Sequence, residues 1–226
     1  MKRFLKNLIP NHAIIPLFLT FVSLMVSYQG AKLVQALFGM PYVFDLTVPL
    51  DARFPFRPVW VTAYVGSYLF WCYVYILPAR ESPVLASKLA LADCFGKTLC
   101  MIFFLALPTT NVRPEITGTS LWDQGMGLIY SLDTATNLFP SAHCFVAYLG
   151  TRLVFRCKEL KKPTFHRLCS AVGCVMVFLS TVYTKQHVIV DVFGAVAVAE
   201  LSILFADRSK LTAKLAAKCE TFRFWK

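Results

Sequence analysis

The chain has 226 residues, of which 57% are hydrophobic and only 15% are charged. This composition leaves too little polar surface for a soluble domain of that length, so it excludes an ordinary soluble protein and predicts an all-α, polytopic membrane protein. The net charge of +11 would also suit a nucleic-acid-binding protein, and the positions of the basic residues decide between the two interpretations.

Six apolar stretches with few charges follow one another along the chain, several of them close to the roughly 20 residues that cross a bilayer. They are residues 13–27, 59–77, 98–107, 142–155, 168–183 and 188–206. The first follows a basic start without a small-x-small cleavage site, so we interpret it as an uncleaved helix. The third could extend back to Pro83, because Asp93 and Lys97 at an i, i+4 spacing can neutralise each other. We therefore expect a bundle of about six transmembrane helices.

Most basic residues fall on one side of this expected bundle. If the N-terminus is cytoplasmic, 18 of the 23 Lys and Arg lie in cytoplasmic segments, and the five exceptions are Lys32, Arg53, Arg57, Arg113 and Lys185. The positive-inside rule then predicts that both termini are cytoplasmic. Because topology explains the basic excess, we expect membrane lipids as partners and no nucleic acid.

Cysteine spacing and repeats indicate no further domain. The eight cysteines include no CxxC pair and lie mostly within or beside apolar stretches, which favours core packing over disulfides or a metal site. No internal repeat or flexible linker interrupts the chain. Residues 1–226 are therefore interpreted as one integral-membrane domain, for which we expect no cofactor.

Polar chemistry gathers in the segments that this topology places outside. Residues 40–60 are rich in proline and aromatic side chains, which is typical of a loop in the membrane interface. Residues 108–143, between the third and fourth spans, form a longer loop than a simple connection requires. Long ordered loops are often functional, so we expect the site to involve this loop.

The long loop ends in the sequence NLFPSAHCF, residues 137–145. Pro140 suits the first turn of a helix, and a helix that begins near Ser141 directs free backbone N–H groups at the external face, where they attract anions. Ser141 can add a hydroxyl contact to a phosphate, and His143 can donate to it or protonate a leaving group. On its own, His143 would be better explained as a structural histidine in the interface.

A second polar group occurs in the sequence STVYTKQHVIVDVFGA, at the external mouth of the last span. His187 and Asp191 are one helical turn apart, so the carboxylate can hold one imidazole nitrogen and raise the basicity of the other. The expected topology brings Arg113 and Lys185 to the same membrane face. Lys185 can either turn inward to a phosphate or extend towards water and lipid headgroups, and the sequence leaves both open.

These motifs resemble those of the type-2 phosphatidic acid phosphatase superfamily of membrane lipid phosphatases and phosphotransferases. Its motifs are Lys followed after six residues by Arg-Pro, then Pro-Ser-Gly-His, then Ser-Arg followed after five residues by His and after three more by Asp. The matching residues are Arg113 and Pro114 for the first, Pro140, Ser141, Ala142 and His143 for the second, and Ser180, His187 and Asp191 for the third. The order and spacing agree over most of the chain.

Two positions depart from the family motifs. Ala106 stands where the first motif has Lys, and Thr181 stands where the third has Arg, and both cations clamp phosphate in the family's phosphatases. Similar relaxed motifs occur in the branch that resembles inositol phosphorylceramide synthases and sphingomyelin synthases, which move a phospho-headgroup between lipids. The resemblance therefore leaves phosphatase and phosphotransferase open.

The resemblance implies a role for each matched residue. His187 attacks phosphorus while Asp191 orients it, and His143 protonates the departing alcohol. A phosphohistidine intermediate then passes its phosphoryl group to water or to another hydroxyl. Arg113 is the expected cationic clamp, and no metal is needed because arginine and amide dipoles can stabilise the transferring group.

We therefore expect a lipid phosphatase that acts on phosphatidic acid or a related lipid phosphate. The catalytic residues are expected to be His143, His187 and Asp191, with Arg113, Ser141 and Lys185 as phosphate contacts. The alternatives are a lipid phosphotransferase with the same nucleophile and a non-catalytic transporter or scaffold. The expected site lies on the extracytoplasmic or luminal face.

Overall fold

The structure is a computed structural model that describes residues 6–40 and 42–225 of the chain. Its helices are α1 (Asn11–Phe38), α2 (Val61–Glu81), α3 (Pro83–Ala106), α4 (Leu121–Leu132), α5 (Ala142–Val154), α6 (Pro163–Tyr183), α7 (Ile189–Arg208) and α8 (Lys210–Thr221). Two-residue strands β1 (Phe44–Asp45) and β2 (Thr109–Thr110) pair in parallel. Short 3-10 turns at Pro49–Arg53 and Pro58–Trp60 precede α2. The prediction of an all-α protein is confirmed.

Five helices are long and apolar enough to cross a membrane, namely α1, α2 with the turn before it, α3, α6 and α7. This supports the prediction of a multi-pass membrane protein, with one helix of spanning length fewer than expected in the described ranges. The fourth predicted span forms α5, which has 13 residues. That is about 20 Å by helical rise, against a hydrocarbon core of roughly 30 Å.

Helix α5 is short and lies at the centre of the bundle. It packs against α2, α3, α6 and α7, and most of its side chains, from Cys144 to Val154, are buried. Gly150 allows close contact with α2, since a Cβ there would lie 2.4 Å from a methyl group of Val74. A helix that is enclosed by protein on most sides does not have to match the bilayer in length by itself.

Helix α3 carries an ion pair inside the bundle. Lys97 Nζ lies 2.9 Å from Asp93 Oδ2, and Asp93 also accepts hydrogen bonds of 2.6 Å from Ser23 of α1 and Tyr75 of α2. The two charges neutralise each other at the i, i+4 spacing, as the sequence indicated. The third span therefore runs as one helix from Pro83, and the extended form of that prediction is confirmed.

A group of ion pairs occupies one end of the bundle. Asp207, near the end of α7, accepts from Lys88 of α3 and from Arg156, each at 2.8 Å, and Arg152 near the end of α5 lies 3.1 Å from Glu200. Helix α8 packs against α3 and α1. The predicted catalytic residues lie at the opposite end of the bundle, where α5 and α7 begin.

Candidate active site

The starts of α5 and α7 are joined directly. The backbone N–H of Ser141, just before α5, donates to the carbonyl oxygen of Asp191 in the first turn of α7 at 3.1 Å. The rings of His143 and His187 are consequently neighbours, with 5.9 Å between their centroids. Both histidines line one cavity of about 350 Å³. The structure thus brings together two histidines that are far apart in the sequence.

His187 is held by Asp191. Its Nδ1 lies 3.2 Å from Asp191 Oδ2, and the same oxygen accepts the backbone N–H of Val188 at 3.0 Å. Since a carboxylate oxygen only accepts, Nδ1 carries the proton and Nε2 is the nitrogen that is available for chemistry. His187 is 6% exposed and Asp191 is fully buried, so the pair is fixed within the protein and not by solvent.

Asp51 also fixes the start of α7. This side chain is 4% exposed, and its Oδ1 accepts the backbone N–H of Ile189 at 2.8 Å. Residues 40–60 were interpreted as an interfacial loop, and the buried carboxylate within them was not anticipated. Nothing in the local pattern identifies it, because Asp51 acts on a helix that begins more than a hundred residues later in the sequence.

His143 lies against an aromatic face of α2. Its ring centroid is 4.6 Å from that of Tyr64, 5.0 Å from Trp71 and 6.1 Å from Tyr68. The three aromatic residues follow an i, i+4, i+7 spacing, which places them on one face of a helix. His143 Nε2 is buried and has no hydrogen-bond partner among the described residues. The ring is therefore positioned by packing, and one of its nitrogens stays free.

Ser141 caps α5. Its hydroxyl oxygen accepts the backbone N–H of Cys144 at 3.3 Å, and the side chain is fully buried. Pro140 precedes this cap instead of entering the first turn, and the helix begins at Ala142. Ser141 does not line the cavity, so its contacts are those of a helix cap and not those expected for a phosphate ligand.

Arg113 is engaged with protein groups. Its guanidinium donates to the carbonyl of Asp133 and, at 2.7 Å, to Gln186 Oε1, and it lies 4.7 Å from the ring centroid of Tyr130. Burial raises the pKa of Tyr130 to about 12 against the opposing effect of Arg113, so the neutral phenol can donate to the carbonyl of Thr184 at 2.7 Å. Arg113 does not line the cavity.

Lys185 extends away from the cavity. Its Nζ donates to the backbone carbonyl of Asp51 at 3.2 Å, and its own carbonyl accepts from Asn111 Nδ2 at 2.9 Å. Lys185 does not line the cavity. The sequence left two orientations of this side chain open, and the structure shows its Nζ bound to a protein carbonyl outside the cavity wall.

Lys32 of α1 was missed by the sequence analysis as a site residue. It lines the cavity, where its Nζ lies 3.4 Å from Asp133 Oδ1 and 4.4 Å above the ring of Tyr28. The Tyr28 hydroxyl donates to the same carboxylate oxygen. Among the described residues, Lys32 is the one Lys or Arg in the cavity wall. The only sign in the sequence that Lys32 belongs to the site was its place among the five basic residues outside the positive-inside pattern.

Comparison of the chain with protein-family models, with characterised proteins and with solved structures finds no significant match. In the described ranges, no three His, Cys, Asp or Glu side chains lie close enough to hold a metal ion. The geometry of the site residues is therefore what supports a function.

Proposed function

We propose that this protein is a membrane lipid phosphatase that works through a phosphohistidine. The observation that supports the proposal is the pairing of His187 Nδ1 with Asp191 at 3.2 Å in a cavity that His143 also lines. An imidazole held by a carboxylate is an activated nucleophile, and a second histidine beside it can serve as the acid.

The reaction runs in two steps. In the first, His187 Nε2 forms a bond to phosphorus while the bond from phosphorus to the lipid alcohol oxygen breaks, and His143 gives a proton to that oxygen. In the second, water attacks the phosphohistidine, His143 takes the proton from that water, and His187 Nε2 is released. His143 thus regains its proton and His187 Nε2 regains its lone pair, so the enzyme is regenerated.

A lipid substrate is supported by the walls of the cavity. Leu24 and Met25 of α1 and Ile129 and Leu132 of α4 line it together with the aromatic residues of α2. Helix α4 is amphipathic, and its leucines at positions 121, 128 and 132 are exposed. Such a helix is suited to lie in the membrane interface, where it would border a lateral path for the headgroup.

The proposed topology places this cavity on the extracytoplasmic or luminal face. The end of the bundle that holds Arg152, Arg156 and Lys88 would be cytoplasmic by the positive-inside rule. In this topology α5 and the chain around it complete a sixth crossing, and both termini are cytoplasmic. The candidate site then lies at the external end, at the N-termini of α5 and α7.

A lipid phosphotransferase is the second candidate, and the charge of the cavity favours it. Lys32 lines the cavity and lies beside Asp133, while Arg113 and Lys185 contact protein groups. A phosphate monoester carries close to two negative charges near neutral pH and a phosphodiester carries one, so few cations favour the diester. The same histidine would then pass the phospho-headgroup to a lipid hydroxyl.

Purified protein incubated with labelled phosphatidic acid and labelled phosphodiester lipids would test both candidates. Phosphate release from the monoester without an acceptor supports the phosphatase, and transfer from a diester only when a lipid alcohol is added supports the phosphotransferase. In either case His187→Ala should abolish turnover and the acid-labile phosphoenzyme. Full turnover by folded His187→Ala would overturn the mechanism.

A further inference from the structure

Gln186 is a buried amide in the cavity wall, directly before His187. It is 1% exposed and lines the cavity with both histidines. Its Oε1 accepts from Arg113 Nη2 at 2.7 Å. Its Nε2 is buried and has no hydrogen-bond partner in the part of the chain that the structure describes.

The orientation of this amide follows from the contact with Arg113. A guanidinium only donates hydrogen bonds, so the atom that faces Arg113 has to be the oxygen of Gln186. The nitrogen, which carries two N–H donors, is thereby directed to the other side of the amide group. Leaving a buried donor unpaired is unfavourable, so an amide held in this orientation is suited to a ligand that accepts hydrogen bonds.

The backbone around Gln186 is equally constrained. Its N–H donates to the carbonyl of Thr181 at 3.0 Å, and the N–H of His187 donates to the same oxygen at 3.1 Å. On the other side, Asn111 holds the carbonyl of Lys185. The segment that carries the nucleophile therefore also fixes the position of the unpaired amide nitrogen.

We propose that Gln186 is a ligand of the phosphate oxygens and that Arg113 is a positioning residue that acts through it. The inference rests on the proposed function, because it assigns the ligand of that same cavity. Gln186 Nε2 and His143 Nε2 are two buried atoms without partners among the described residues, and both side chains line the cavity next to His187. A phosphoryl group attached to His187 would have oxygens that both can bind.

The substitution Gln186→Glu tests the ligand role. The carboxylate has almost the same shape and still accepts from Arg113, but it replaces the N–H donors with an acceptor. We expect turnover to fall by roughly 100-fold or more, as for the loss of one donor to a developing oxyanion. Gln124→Glu is the matched control, because Gln124 is exposed on α4 and lies outside the cavity wall. There the added charge is screened, and we expect a change of about twofold.

Double substitutions test the positioning role of Arg113. If Arg113 acts through Gln186, Arg113→Ala should add little to the loss already caused by Gln186→Met, because residues of one hydrogen-bond network are not additive. Arg113→Lys, which can still donate to Oε1, should recover part of the kcat lost in Arg113→Ala. Fully additive losses would instead indicate that Arg113 binds phosphate directly, and they would overturn this part of the inference.

Binding of inorganic phosphate, followed by phosphorus-31 line broadening on detergent-solubilised protein, separates the inference from the proposed function. We expect the wild-type protein and Gln124→Glu to bind phosphate and Gln186→Glu to bind it at least tenfold more weakly. If this pattern holds but no lipid is turned over, the ligand assignment stands and the proposed function fails. If lipids are turned over and Gln186→Glu matches the wild type in binding and turnover, the inference fails alone. Absence of phosphate binding by the wild type also overturns it.

Discussion

Asp191 Oδ2 lies 3.2 Å from His187 Nδ1 and accepts the backbone N–H of Val188 with the same oxygen. One carboxylate thus caps α7 and orients the imidazole. Because the cap forms as the helix folds, the ring is fixed before any substrate binds. Such preorganisation is what an activated nucleophile requires.

Asp191→Asn should separate the two roles of this carboxylate. The amide oxygen can still accept both the Val188 N–H and the His187 Nδ1–H, but it lacks the negative charge that raises the basicity of the imidazole. We expect turnover to fall by roughly 100-fold or more, while the midpoint of thermal unfolding in detergent changes little. Asp51→Asn is the control, since Asp51 caps the same helix without contacting His187 and should lower stability by about 1 kcal/mol with a smaller effect on turnover. Wild-type turnover in Asp191→Asn would contradict the assignment.

The contribution of His143 to the rate of turnover should increase with the basicity of the leaving group. If His143 protonates the departing alcohol, His143→Gln should slow a lipid alkyl phosphate by about 100-fold or more. It should slow a p-nitrophenyl phosphate ester far less, because that leaving group departs without a proton. His187→Ala should abolish turnover of both substrates. Equal losses on both substrates in His143→Gln would assign this residue to binding or structure.

The sequence predicted those parts of the fold and site that depend on local spacing. Asp93 and Lys97 contact each other as their spacing indicated, because a helix fixes which of its own residues are neighbours. His187 and Asp191 are also in contact, although His187 precedes α7 and is reached by the carboxylate that caps the start of that helix. The start of a helix near Ser141 was also anticipated, although Pro140 precedes the cap and does not enter the first turn. Each of these features is set by residues that lie close together in the sequence.

The remaining features depend on packing between distant segments. Gln186, Lys32 and Asp51 enter the site through contacts with residues from other helices and loops, and no local pattern records such contacts. The burial of the short helix α5 among its neighbours is likewise a result of packing. The same packing directs Arg113 to Gln186, although its motif indicated a phosphate clamp.

The ion pair within α3 should behave as a buried pair. Lys97→Met leaves Asp93 charged and without its cation, and we expect a loss of about 3–5 kcal/mol in the free energy of unfolding. Adding Asp93→Asn to that variant removes the isolated charge and keeps an acceptor for Tyr75, so most of the loss should be recovered. Denaturant titration in mixed micelles measures both effects. No difference between the single and the double variant would contradict the pairing.

Lys185 is expected to contribute little to substrate preference. Because its Nζ donates to the carbonyl of Asp51, Lys185→Ala should lower stability by about 1 kcal/mol or less and leave the ratio of diester to monoester turnover unchanged. Lys32→Ala is the comparison, since Lys32 lines the cavity and its loss should weaken monoester turnover more than diester turnover. A shift in preference with Lys185→Ala and none with Lys32→Ala would show that the two assignments are exchanged.

The proposed topology predicts which loops are accessible from outside an intact cell. Thr117→Cys lies on the exposed part of the loop between α3 and α4. It is preferable to a cysteine at the adjacent Gly118, where a Cβ would lie 2.3 Å from the Asp123 carboxylate. A membrane-impermeant maleimide should label Thr117→Cys without permeabilisation.

Lys161→Cys, in the exposed loop between α5 and α6, should be labelled only after permeabilisation. The wild-type protein gives the background from its native cysteines. The opposite pattern would place the candidate site on the cytoplasmic face, and it would invert the orientation while leaving the proposed chemistry unchanged.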